Sequence, residues 1–154
     1  MKNAFFYKTP IGEIGIAEKG GFITNVFFGR TVKPENYIVK ETPVLKQANA
    51  QLEEYFSGNR KIFDLPFLLE GTEFEKNVWN ALFEIPLGET RTYKQIAEKL
   101  GKPNACRAVG RANGLNPISL FFPCHRVIGT NGKLTGYAGG LEAKQLLLEM
   151  EGAL

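Results

Sequence analysis

Short runs rich in aromatic and β-branched residues open the chain: Ala4 to Thr9, Gly15 to Glu18 and Phe22 to Phe28, separated by Pro10-Ile11-Gly12 and Gly20-Gly21. Their composition and their turn residues predict a meander of antiparallel strands. After Pro43 the apolar period lengthens, with Leu45, Ala48, Leu52, Tyr55 and Phe56 at three- and four-residue spacing before Gly58. That spacing predicts one amphipathic helix with a glycine stop. Lys61 to Gly71, which contains Pro66, reads as an extended connection between two units and places their boundary near Gly71. The expected domains are 1–70, an α+β support unit, and 71–154, a unit that carries the chemistry.

Beyond Gly71 the signals become helical. Thr72-Glu73-Phe74-Glu75 and Thr92-Tyr93-Lys94-Gln95 are both capping-box patterns, in which the threonine hydroxyl and the side chain three residues later each satisfy the other's free backbone N–H. Phe74, Val78, Ala81 and Leu82 share a face of the first helix, which must stop at Ile85-Pro86. The second carries Ile96, Ala97 and Leu100 and ends at Gly101. Pro103 then suits the first turn of a third helix, about Asn104 to Asn113. Two short helices joined by a glycine-containing turn of about three residues have the shape of a helix-turn-helix, and also of a plain αα-hairpin. The third helix is unusually slim, with Ala105, Ala108, Gly110, Ala112 and Gly114 among Cys106, Arg107, Val109 and Arg111. Glycine costs about 1 kcal/mol in a helix, so small residues here imply close approach by something, either a nucleic-acid groove or another helix.

The chain of 154 residues is 44% hydrophobic and 23% charged, with a mean hydropathy of −0.16, which excludes disordered and fibrous classes. No apolar run approaches the ~18 residues of a membrane span, and the start of the chain lacks a secretion signal, so a cytoplasmic location with no membrane contact is expected. Two cysteines, Cys106 and Cys124, are too few for a disulfide scaffold and are expected as free thiols. The net charge is only +3, yet Arg91 to Lys133 carries eight basic residues against the single acid Glu98. That asymmetry fits either a footprint for a polyanion such as DNA or a solvated basic face.

The candidate chemistry lies at Cys124-His125-Arg126, delivered by a buried-looking, extended run from Leu115 to Pro123. A cysteine is nucleophilic as thiolate, so it needs a base or cation nearby, and His125 is the only histidine. Neighbours on extended backbone point apart, so the pair would communicate through a turn or a bridging water. Glu142, Glu149 and Glu151 are the carboxylates available to orient the imidazole. Two cysteines and one histidine fall short of a structural zinc site, so no metal is expected.

Pro123-Cys124-His125-Arg126-Val127-Ile128-Gly129, with Arg107-Ala108-Val109-Gly110, Ala112-Asn113, Asn116-Pro117-Ile118 and Gly136-Tyr137-x-Gly139-Gly140-Leu141, resembles the O6-alkylguanine-DNA alkyltransferase family over about Gly71 to Glu151. The resemblance implies an α+β protein with a ribonuclease-H-like N-terminal sheet and helix, followed by a mostly helical, winged-helix-like domain with a helix-turn-helix. It implies direct-reversal repair by a monomer acting on double-stranded DNA that contains O6-alkylguanine, and possible action on O4-alkylthymine. A flipped base would lose its alkyl group irreversibly to Cys124, without a cofactor. By family position, His125 acts through a water on Cys124, Glu151 orients His125, Asn116 braces the turn, and Tyr93 protonates or stabilises the departing base. Arg107 is the finger that fills the vacated stack. Thr92, Tyr93, Lys94, Gln95, Ala105, Ala108, Gly110, Arg111 and Asn113 would meet DNA, while Asn113, Val127, Tyr137 and Ala138 would line the base pocket. Ala138 stands where some members have serine, which removes a hydroxyl contact. The N-terminal zinc ligands of some relatives are missing, an auxiliary domain is not expected, and Cys106 reads as a packing residue. The alternative reading is a non-catalytic lesion-binding module, against which Cys124 speaks.

Overall fold

The computed structural model describes residues 1–29 and 36–154. The chain divides into two compact units, Met1–Glu70 and Gly71–Leu154.

In the first unit β1 (Lys2–Thr9), β2 (Gly12–Lys19) and β3 (Phe22–Phe28) form the expected antiparallel meander. The two-residue turn Gly20-Gly21 holds both φ angles positive, at 60° and 86°, the conformation that matches hairpin twist and that glycine enters freely. A fourth strand that the pattern did not announce, β4 (Tyr37–Val39), pairs parallel with β1, giving the order β3-β2-β1-β4. Helix α1 (Pro43–Phe56) turns Leu45, Ala48, Leu52 and Tyr55 inward, while Ala4, Ile14 and Ile16 are fully buried in the sheet. On β2, Gly15 is required by close approach. A Cβ there would stand 2.9 Å from the Phe6 ring.

The segment after Gly58 is less of a linker than its extended composition implied. Asp64 exchanges two 2.9 Å hydrogen bonds with the Gln51 carboxamide, and Ile23 bonds Pro66 O and Leu68 N at 2.8 and 2.9 Å. The segment is thus strapped to α1 and to the β3 edge within the first unit.

In the second unit α2 (Glu73–Phe83) and α3 (Tyr93–Lys99) both begin with complete capping boxes, from Thr72 with Glu75 and from Thr92 with Gln95. Helix α4 starts later than the sequence suggested, at Cys106, and runs to Gly114. Pro103 therefore precedes it, in a turn closed by a 2.9 Å bond from Ala105 N to Lys102 O, where its fixed φ suits the second position. The link between the helices runs from Leu100 to Ala105, longer than a three-residue turn. Helix α4 packs on α2 and α3 through Val109 and Ala112, and the buried Trp79 indole N–H donates to Ala112 O at 2.8 Å. Two short strands, β5 (Arg91–Thr92) and β6 (Val127–Ile128), pair in parallel. Their pairing sets the start of α3 beside the strand just after the Cys124 turn. Helix α5 (Leu141–Met150) closes the unit.

Candidate active site

The run from Leu115 to Pro123 is coiled rather than extended, and it is buried only from Ile118 onward, Leu115 being exposed and Asn116 and Pro117 half-buried. Asn116 organises it, its side-chain N–H donating to Phe122 O at 2.8 Å and its oxygen accepting from Ile118 N at 3.0 Å. Inside this bracket Leu120 has φ 75°, a conformation unfavourable for a branched residue, held there by near-complete burial. The chain then tightens into one 3-10 turn, Cys124–Arg126. That turn resolves the geometric difficulty of a Cys-His pair, because consecutive side chains no longer point to opposite faces.

Cys124 is 4% exposed and lies on the wall of a cavity of about 300 Å³ with Tyr93, Gly110, Asn113, Gly114, Ser119, Gly136, Tyr137 and Ala138. Larger hollows lie along α1 and beside α3, but neither is lined by a cysteine or histidine. Ser119 Oγ stands 3.7 Å from Cys124 Sγ. Burial pushes the thiol up from its ordinary value, opposed by the Asn116 and Ser119 side chains and by the positive charge of Lys144. The resting group is therefore a thiol that needs a proton acceptor, with a cation ready to favour the thiolate once formed.

His125 is completely buried, and its Nε2 lies 2.8 Å from Glu151 Oε2. Its Nδ1 is buried with no hydrogen-bond partner among the described residues. Burial holds the imidazole below its ordinary pKa, with Glu151 pulling the other way, so it is neutral at pH 7 with a lone pair available. Of the three carboxylates, Glu151, at the C-terminal cap of α5, is the one that meets it. Burial alone would raise the Glu151 carboxyl, but hydrogen bonds and charge from His125 and Arg126 outweigh it and hold the pKa at about 2. Arg126 is buried too, donating to both Glu151 oxygens at 2.8 and 3.0 Å and to Ile85 O at 2.7 Å. It belongs to this buried network and leaves the basic surface counted from the sequence.

Lys144, which sequence reasoning missed, is fully buried and donates to Val127 O at 2.7 Å and Thr135 O at 3.1 Å. Burial lowers its pKa, with the Cys124 charge acting in the opposite direction. A signal existed: Lys144, Leu147, Leu148 and Glu151 recur at helical spacing on the inward face of α5.

The other sequence-selected residues fall into two groups. Tyr93, Gly110, Asn113, Tyr137 and Ala138 share the cavity with Cys124, whereas Val127 is wholly buried and meets Lys144 through its carbonyl. Lys94, Gln95, Arg107, Ala108 and Arg111 are exposed on α3 and α4, Ala105 is half-buried, and the Thr92 and Gln95 side chains are engaged in the capping box. Ala108 and Gly114 face outward whereas Ala112 packs inward, so helix packing takes up only part of the small-residue set. Cys106 is exposed, which corrects its reading as a packing residue; the later start of α4 places it in the helix's first turn. Among the described residues no cluster of three or more potential metal ligands occurs, and no helix is long and apolar enough to cross a membrane.

A sheet-and-helix unit is joined to a helical unit that buries the Cys124 thiol next in the chain to a histidine–carboxylate pair, the groups a cysteine nucleophile requires. The matches extend over nearly the whole chain. Residues 73–153 match the 6-O-methylguanine DNA methyltransferase DNA-binding domain, and residues 4–69 match the ribonuclease-like domain of the same proteins. The chain belongs to the 6-O-methylguanine DNA methyltransferase family. It is 51% identical over 151 residues to a methylated-DNA–protein-cysteine methyltransferase of Methanosarcina acetivorans, covering 96% of each chain. It is 48% identical over 153 residues to a constitutive methylated-DNA–protein-cysteine methyltransferase of Bacillus subtilis, covering 94% and 92%. A crystal structure of Mycobacterium tuberculosis OGT in complex with DNA matches with TM-score 0.91 at 43% identity, covering 98% of this chain and 93% of that one.

Proposed function

We propose that this protein repairs double-stranded DNA directly, moving the alkyl group of O6-alkylguanine to Cys124 in a single irreversible turnover. The observation that carries this reading is the position of Cys124, buried, on the wall of a cavity of about 300 Å³ and next in the chain to His125, whose Nε2 lies 2.8 Å from Glu151. The thiol proton passes to His125 Nδ1 through a water, the neutral imidazole becoming a cation that Glu151 stabilises. The thiolate, favoured by Lys144, attacks the alkyl carbon as the carbon–O6 bond breaks, and the electron pair leaves with the purine. Tyr93 supplies a proton to the departing base. The thioether formed has no carbonyl that water can attack, which accounts for one turnover per molecule.

In this reading the exposed slim helix α4 enters the minor groove, and Arg107 fills the space left by the extruded nucleotide at a cost of a few kcal/mol. Lys94, Gln95, Ala105, Ala108, Gly110, Arg111 and the start of α3 at Thr92 meet the backbone and the groove, while Asn113, Tyr137 and Ala138 receive the base and Val127, its carbonyl held by Lys144, backs the pocket. Asn116 keeps the turn in place. Residues 1–70 act as the support domain and 71–154 as the DNA-binding and transfer domain. The protein works as a monomer in the cytoplasm, and no cofactor is needed for the displacement.

Intact-mass measurement after incubation with a duplex containing O6-methylguanine tests this. The expected result is a gain of one methyl per protein, mapped to Cys124 and abolished in Cys124→Ala. Transfer to Cys106, or catalytic turnover beyond one equivalent, would overturn it.

A further inference from the structure

We propose that Thr135 is a positioning residue for Tyr93, fixing the phenolic hydroxyl at the cavity and stabilising its oxygen as it gives up a proton; this rests on the alkyl-transfer reading above. Tyr93 Oη and Thr135 Oγ1 share a hydrogen bond between the first turn of α3 and the loop that precedes α5. The Tyr93 ring lines the Cys124 cavity and lies against Gly110, where a Cβ would stand 3.7 Å from the ring.

Thr135 is itself held through its backbone. Its carbonyl accepts from Lys144 Nζ at 3.1 Å, and the same ammonium grips Val127 O at 2.7 Å, tying the loop to β6. A β-branched side chain has few χ1 choices, so a backbone held in place narrows where the hydroxyl can point. The direction of the Tyr93 hydroxyl is thereby set before any base arrives, and an ordered donor is what general-acid assistance requires.

Atoms and electrons balance in this step. The Cys124 sulfur–carbon bond forms while the carbon–O6 bond breaks, and the electron pair stays on the purine. The Tyr93 hydroxyl proton moves to a purine ring nitrogen, so neutral guanine departs. The phenolate oxygen left behind accepts a hydrogen bond from the Thr135 hydroxyl until a water returns the proton. A hydroxyl can accept from Tyr93 at rest and donate to it in the transition state, which a methyl group cannot do.

The test compares Thr135→Val, Thr135→Ser, Tyr93→Phe and the Thr135→Val/Tyr93→Phe double variant in single-turnover transfer from a duplex carrying O6-methylguanine, with affinity for an undamaged duplex measured alongside. Thr135→Val is expected to slow transfer about tenfold with affinity unchanged, since a hydrogen bond to a developing charge is lost. Thr135→Ser is expected to stay within about threefold of the parent, and the valine effect is expected to vanish in the Tyr93→Phe background. Equal slowing by serine and valine, no slowing by valine, or a tenfold loss persisting without the phenol would each overturn the assignment. Should the valine variant fail to fold, Thr135→Ala in both backgrounds carries the same readout. Absence of methyl on Cys124 in the parent would instead overturn the alkyl-transfer reading itself.

Discussion

The two units bury different things. In the first the inward faces of the sheet and α1 are mostly apolar, Thr24 and Gln51 aside, and the one carboxylate or basic side chain buried among its described residues, Glu18, is spent on Asn3 and the Gly21 amide at a hairpin end. In the second, His125, Arg126, Lys144 and Glu151 all lie inside, joined to one another or to backbone carbonyls. Taking charges out of water costs several kcal/mol per ion, and apolar replacements of equal volume are often more stable. A domain that keeps these four groups and the Cys124 thiol inside is shaped by its chemistry, whereas the first unit is shaped by its core.

The contrast breaks most visibly at the buried network. Glu151→Gln leaves the Arg126 guanidinium buried without its counter-charge and should cost about 3 to 5 kcal/mol in denaturant unfolding. Transfer should fall by about a hundredfold as His125 loses its orienting anion. A stability loss under 1 kcal/mol would mean that the network is solvated and the contrast false.

Acid should find the same weakness. The Glu151 pKa of about 2, against an ordinary 4.5, contributes stability that is present above pH 4.5 and lost as pH falls toward 2, worth about 3 kcal/mol. His125, held neutral by burial, adds a loss that begins below its ordinary 6.5, because the unfolded imidazole takes a proton first. Unfolding midpoints measured across pH should therefore fall on acidification, and Glu151→Gln should flatten the lower window.

Two milder substitutions sharpen the comparison from outside the network. Arg107→Ala, on an exposed site, should leave stability within about 0.5 kcal/mol yet slow transfer from duplex DNA about tenfold or more. The loss should shrink on a single strand, where no stack has to be filled. Tyr7→Phe in the first unit removes a 2.8 Å bond to Glu41 and should cost about 1 kcal/mol in unfolding with no change in transfer rate.

What the sequence revealed was largely local. Both capping boxes and the Gly20-Gly21 turn were legible because the groups that satisfy one another sit within a few residues. The Cys124 to Asn116 constellation was legible as a family pattern, while the residues alone left three glutamates open. The rest depended on distant partners. Pro103 could serve a helix start or a turn, and only the Lys102–Ala105 closure decides. Arg126 counted as surface charge until Glu151 and Ile85 O claimed it. Lys144 escaped notice because lysines are almost always exposed, and its two carbonyl partners come from other segments.

The 2.8 Å bond from Trp79 to Ala112 O has a practical side. This is the sole tryptophan of the chain, so its emission reports one location, the seam between α2 and the helix that bears Arg107. Any shift of that helix on meeting a duplex should alter the indole's hydrogen bond and hence its fluorescence, making the protein its own unlabelled gauge for rapid-mixing work.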